Sequence, residues 1–211
     1  MKYYAIISTL ALTCAFALNP VMPAQAAAEP SAKDSSSMGM TEAEKKAFEQ
    51  MSALGENHKL LNYMNGSWTT KTTHIPDAPG AKPMDPIDGK CVTKSIMGGR
   101  FFQSEHTSSM MGKPMEGVAT VGYDNTSGKF VSTWIDNFST NIMYSTGTYD
   151  AATKTFTYIC TMDDPMNPGK KFDMKEVIKI IDNDKHLMIF YSVKEGKETK
   201  FMEIVYSRAA S

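Results

Sequence analysis

The stretch KFVSTWIDN, residues 129–137, reads as a β-strand with two mixed faces. Side chains alternate along a strand, so Phe130, Ser132, Trp134 and Asp136 share one side while Val131, Thr133 and Ile135 share the other. A sheet that covers a solid core usually has one apolar and one wet face. Two mixed faces point instead to a curved sheet around a partly polar interior.

The same period of two begins at Trp68 and persists. Ten strand-like runs lie at about 68–75, 88–97, 100–109, 115–124, 129–137, 141–149, 154–162, 171–181, 186–193 and 198–208. Turn chemistry separates most of them, as in Asp124-Asn125-Thr126-Ser127-Gly128, Asp182-Asn183-Asp184 and Glu195-Gly196. Connections this short join sequential antiparallel neighbours. Only residues 74–89 and 163–170 form longer inserts. A ten-strand meander either leaves two exposed edges or closes, and closure removes the edges. The expected fold is all-β: an antiparallel up-and-down barrel of about ten strands, favoured over a sandwich by the meander.

Upstream, the pattern becomes helical. Thr41 and Glu44 fit a capping box, and Ala47, Phe48, Met51 and Leu54 fall at helical spacing until Gly55. A second short helix, NHKLLNYM, ends at Asn65-Gly66. Both helices are expected to serve as lids or plugs, in one barrel domain spanning 41–211. Residues 27–40 are small, polar and aperiodic, which predicts a flexible tether. Residues 1–26 combine Lys2, an apolar run from about Ala5 to Leu18 and the small-residue site Ala24-Gln25-Ala26, the pattern of a cleaved signal peptide. A membrane anchor needs about 20 apolar residues, and Asn19, Pro20 and Pro23 end the run early. Cys14 lies inside that run behind Ala11-Leu12-Thr13, a poor lipobox. A periplasmic or secreted protein without stable membrane insertion is expected.

Composition agrees with an ordinary globular domain, 42% hydrophobic and 21% charged over 211 residues, with a formal net charge of -1. Loss of the signal removes Lys2 alone among the charges, leaving 21 basic against 23 acidic residues. Such a balance gives no reason to expect nucleic acid or an anionic membrane as a partner.

Gly66-Ser67-Trp68 opens the first strand after a short helix, and Arg208 sits in the last. This is similar to the Gly-x-Trp and closing-Arg signature of lipocalin-like calycin barrels, and the resemblance implies that Trp68 plugs one end with Arg208 against it. Residues 98–150, from GGRFFQSEH to YSTGTYD, resemble the bacterial family called domain of unknown function 1579. The resemblance continues through DDPMNPGKK and FMEIVYSR and covers about 56–208. It implies no activity and supplies no catalytic residues.

A barrel assigns the faces. Lys175 and Lys179 mark the wet side of the eighth strand, which turns Phe172, Met174, Glu176, Ile178 and Ile180 inward. The first strand contributes Trp68, Thr70, Thr72 and His74, the second Cys91, Thr93, Ser95 and Met97, and the seventh Phe156, Tyr158, Cys160 and Met162. In the last strand Lys200 shares the face of Met202, Ile204, Tyr206 and Arg208, and Phe201 falls on the other. A lumen with apolar walls and sparse polar groups suits a small apolar or amphipathic molecule, with Trp134, Asp136, Glu176, His74, Tyr158 and Met174 as candidate ligand-binding residues. An inward carboxylate needs a partner or stays protonated, and Arg100, Arg208 and Tyr158 are candidate partners. Such pairing would make the acids a structural network instead.

Several alternatives stay open. A hydrolase or isomerase would use Asp136 or Glu176 as general base and His74 as acid, although no Gly-x-Ser-x-Gly, His-Glu-x-x-His, P-loop or dinucleotide fingerprint is present. Haem is conceivable because nitrobindin-type barrels use an inward His, a likeness of fold alone. The chain holds 17 methionines, whose thioethers suit Cu(I), but they do not repeat like a metal tract, and gap-filling or adaptable apolar surface accounts for them. The cysteines left after cleavage, Cys91 and Cys160, fall on strands two and seven, too far apart around such a barrel for a disulfide.

Overall fold

The computed structural model describes residues 40–78, 80–164 and 167–210. The expected signal (1–26) and all of the expected tether except Met40 lie outside the described residues. Helices α1 (Glu42–Ser52) and α2 (Glu56–Leu60) are followed by a 3-10 turn (Leu61–Met64). Ten strands come next: β1 (Gly66–His74), β2 (Ile87–Ile96), β3 (Phe101–Met110), β4 (Lys113–Asp124), β5 (Lys129–Asp136), β6 (Met143–Asp150), β7 (Thr155–Asp163), β8 (Lys171–Ile180), β9 (Lys185–Lys194) and β10 (Lys197–Arg208). Each pairs antiparallel with its chain neighbour, and β1 pairs with β10 to close the barrel. Every strand begins and ends within two residues of its expected position, because the turns that bound the strands are written in side chains. Asp124 accepts the backbone N–H groups of Thr126 and Ser127, and Gly128 N–H closes the turn on the Asp124 carbonyl at 2.8 Å. Met111 and Gly112 both have positive φ, the two-residue turn whose twist matches that of its flanking strands.

One end of the barrel is closed. Leu61 in the 3-10 turn packs with Phe102, Val121, Phe130, Phe156, Tyr158 and Ile178. Burial of one such side chain contributes about 1.5–3 kcal/mol. Helix α1 does not act as a plug, contrary to its pattern. None of its residues is buried, and Phe48, Met51 and the following Leu54 are 57%, 52% and 45% exposed. The capping box of Thr41 and Glu44 forms, so local chemistry starts the helix. What holds its far end is polar: Asn125 donates to the carbonyls of Gln50, Met51 and Ala53, and Arg100 donates to that of Ser52.

Two face assignments also change. Ser95 and Met97 are exposed, Met97 to 70%, because β2 leaves the barrel at Ile96 and the chain turns out through Met97 and Gly98 at positive φ. In β10 a β-bulge shifts the register between Lys200 and Met202, so Phe201 faces the interior with Met202. The bulge removes Lys200 from the inward face, and it pairs with Glu203 instead.

Candidate functional site

Strand direction places the ends of β1 and β7 and the starts of β2 and β8 opposite the 3-10 turn, around a mouth. Between mouth and plug lies a cavity of about 730 Å³. Ten strands enclose more space than inward side chains fill, whereas about eight do not. Trp134, Asp136, Glu176, His74, Tyr158 and Met174 all line it, and so does the inner face of Trp68. Gly66 and Arg208 do not. They build the closure.

At that closure the Trp68 indole donates to the Met64 carbonyl at 2.8 Å, and the Arg208 guanidinium lies 4.2 Å over its ring. Arg208 donates further to the carbonyls of Tyr63, Asn65 and Asn183 and to the Asp184 carboxylate. A Cβ at position 66 would lie 2.9 Å from Arg208 Nη1, so the glycine before Trp68 makes room for the guanidinium. Arg208 is therefore engaged outside the lumen, and Arg100 holds α1; neither reaches a lumen carboxylate. His186 is stacked on Tyr206 at 4.3 Å and sits edge-on to Trp68 at 4.6 Å, with Nδ1 buried and unpaired. Burial, then Arg208 and His106, push its pKa down to about 3, which keeps the ring neutral.

The question of Trp134 and Asp136 has a direct answer. The Trp134 indole donates to Asp136 at 2.7 Å, and the backbone N–H groups of Phe138 and Ser139 donate to the same carboxylate at 2.9 Å each. Burial opposes ionisation, but these bonds outweigh it and hold the Asp136 pKa below its ordinary value. The Trp134 ring lies across β4 over Gly117, where a Cβ would come within 2.3 Å of it. Its edge meets His106, whose centroid is 5.2 Å away.

Glu176 differs. It is 8% exposed, sits between Tyr158 and Phe190 in register, and makes no hydrogen bond or ion pair with any described residue. Burial alone pushes its pKa up to about 7. Tyr158, expected as its partner, lies beside it without a hydrogen bond, and burial first, then Tyr63 and Glu176, raise the phenol well above its ordinary range.

Sequence reasoning turned Cys91 and Thr93 of β2 inward but missed the neighbouring β3 side of that wall, Ser104 and His106. Cys91 Sγ lies 3.5 Å from His106 Nε2, and Thr93 and Ser104 share a 2.7 Å hydrogen bond. Alternation along FFQSEHTSS carries the signal, since Gln103 and Glu105 turn out and send Phe102, Ser104 and His106 in. Burial raises the Cys91 thiol pKa against bonds from Thr93 and Ser104, and lowers that of His106 to about 4. The pair is thus thiol and neutral imidazole. Cys91 and Cys160 are both buried free thiols. Eight methionines line the cavity, contributed by the 3-10 turn and seven different strands, so much of the methionine excess faces the lumen. Among the described residues no three His, Cys, Asp or Glu side chains are grouped to hold a metal ion, and no helix is long and apolar enough to cross a membrane.

The family model described as "Protein of unknown function (DUF1579)" matches residues 53–208. No curated protein matches the chain. Among solved structures, the crystal structure of Rv2717c from M. tuberculosis is similar, with a TM-score of 0.52 and 15% identity over 75% of this chain and 100% of that one. A redesigned beta barrel gives a TM-score of 0.36 and 9% identity over the same shares. The first likeness is one of barrel fold.

Proposed function

The chain belongs to the DUF1579 family, whose description assigns no activity, and we propose that this member is an exported barrel that binds a small apolar or amphipathic molecule in its lumen. The observation that carries this reading is the cavity of about 730 Å³, walled by methionine and aromatic side chains and holding few polar groups. That size and chemistry match sites that enclose small organic ligands. Methionine walls repack around differently shaped guests. Titration with the neutral fluorescent probe N-phenyl-1-naphthylamine tests the reading. A saturable rise in emission at one site per chain, abolished when Ala119→Phe fills the lumen beside Trp134, is expected; no saturable rise would refute it.

Export rests on the signal-like start. N-terminal sequencing of periplasmic protein should begin at Ala27 or within two residues of it, and recovery of intact Met1 chain in the membrane fraction would contradict this. The hydrolase or isomerase alternative has less support. Asp136 would have to give up its bonds to Trp134, Phe138 and Ser139 to act as a base, and His74 lies three strands away from Glu176 along the register row through Met202 and Phe190.

A further inference from the structure

Besides its histidines, the cavity wall carries three acidic side chains and no Lys or Arg among the described residues. Asp163 pairs with Lys171 at the mouth, and Asp136 accepts three hydrogen bonds. Glu176 alone of the three is unpartnered, nine-tenths buried and directed into the cavity. The strand direction orders its surroundings. Met174 and Phe172 precede it toward the mouth, Ile178 follows toward the plug, and Tyr158 and Phe190 flank it.

A buried carboxylate without a counter-charge is costly. The groups that feel its charge cannot supply one, since Tyr63 from the 3-10 turn, Tyr158 and Cys160 from β7 and Tyr206 from β10 are neutral or anionic at any pH, and the lumen histidines His186 and His106 are neutral above about 3 and about 4. An anionic guest would enter an acidic pocket with no cation to receive it. A cationic guest would find one carboxylate, aromatic faces and an apolar path out to the mouth.

We propose that the lumen ligand is a long-chain amine, its ammonium head on the Glu176 carboxylate and its tail along the methionine- and phenylalanine-lined passage to the mouth. This rests on the lumen-binding reading above and specifies its ligand class.

Dodecylamine, dodecanol and dodecanoate, each competing against N-phenyl-1-naphthylamine at pH 8, test it. Dodecylamine should displace the probe at a concentration about tenfold or more below dodecanol, as a charge-assisted bond requires, and dodecanoate should be weakest. In Glu176→Gln the amine should lose its advantage over the alcohol. In the unsubstituted protein the amine's advantage should shrink between pH 8 and pH 6 as Glu176 takes up a proton, a comparison that needs no variant. Equal displacement by amine and alcohol, a lead for dodecanoate, or a preference that survives in Glu176→Gln would overturn the amine assignment and leave lumen binding standing. Failure of the probe itself to bind would overturn both.

Discussion

The closure of the barrel and the Glu176 site in the lumen above it handle polar groups in opposite ways. At the closure the polar groups are bonded: Arg208 bridges Tyr63, Asn65, Asn183 and Asp184, and Trp68 is tied to Met64. In the lumen just above the plug, Glu176 is flanked by Tyr158, Phe190 and Met174 and is bonded to nothing among the described residues. The first arrangement maximises stability. The second leaves volume and one buried acid unpaired, features that weaken a fold and suit a guest.

The largest effect should come from the closed end. Trp68→Ala removes the plug side chain and uncovers Arg208, and is expected to lower unfolding stability by about 3–5 kcal/mol in a urea titration. A loss below about 1 kcal/mol, the range of surface changes, would mean that the closure is ornamental.

Glu176→Gln should act in the other direction. The folded pKa of about 7 lies above the ordinary glutamate value of 4.5, so the native state holds a proton that the unfolded chain releases. Stability contributed by that proton is complete below about 4.5 and lost as pH rises to about 7. The substitution should therefore stabilise by about 3 kcal/mol at pH 8 and by little at pH 4. Equal unfolding midpoints at both pH values would show that Glu176 is paired after all.

Asp136 should show the reverse pH signature at smaller scale. Its folded pKa is depressed, so its contribution is present above the ordinary carboxylate value and lost as pH falls through the folded pKa. Asp136→Asn keeps the shape but not three charge-assisted acceptor bonds, a loss of about 1–2 kcal/mol at pH 7. Half-burial keeps this below the cost of breaking a fully buried pair. The same urea titrations, run at pH 7 and pH 3, check this.

The smallest effect should be that of reductant. With both thiols free, thermal unfolding should be unchanged by dithiothreitol, and alkylation without reductant should add two labels on unfolding. A single disulfide would give none.

The strands were legible because turn residues and alternation are local signals, and the Gly-x-Trp with its distant Arg gave the closure. The three local errors share a cause. Nothing in the order of residues announces the bulge at Lys200, the outward turn at Met97 or the failure of α1 to find a partner for Phe48 and Met51, since each depends on where the rest of the barrel ends. The candidate residues of the lumen were likewise visible as inward positions. Their division was not: Asp136 and Glu176 look alike in a strand pattern, and differ because one faces a loop full of N–H donors and the other faces Tyr158 and Phe190.

Methionine methyl resonances test lumen binding most directly, since they report from both kinds of site at once. In protein labelled with 13C-methyl methionine, a neutral amphiphile such as dodecanol should shift the resonances of lumen residues including Met143, Met174, Met188 and Met202, while those of Met84, Met97 and the 91% exposed Met111 stay in place. Shifts confined to the exposed methionines, or none at all up to the solubility of the amphiphile, would contradict the account and place any working surface on the outside of the barrel.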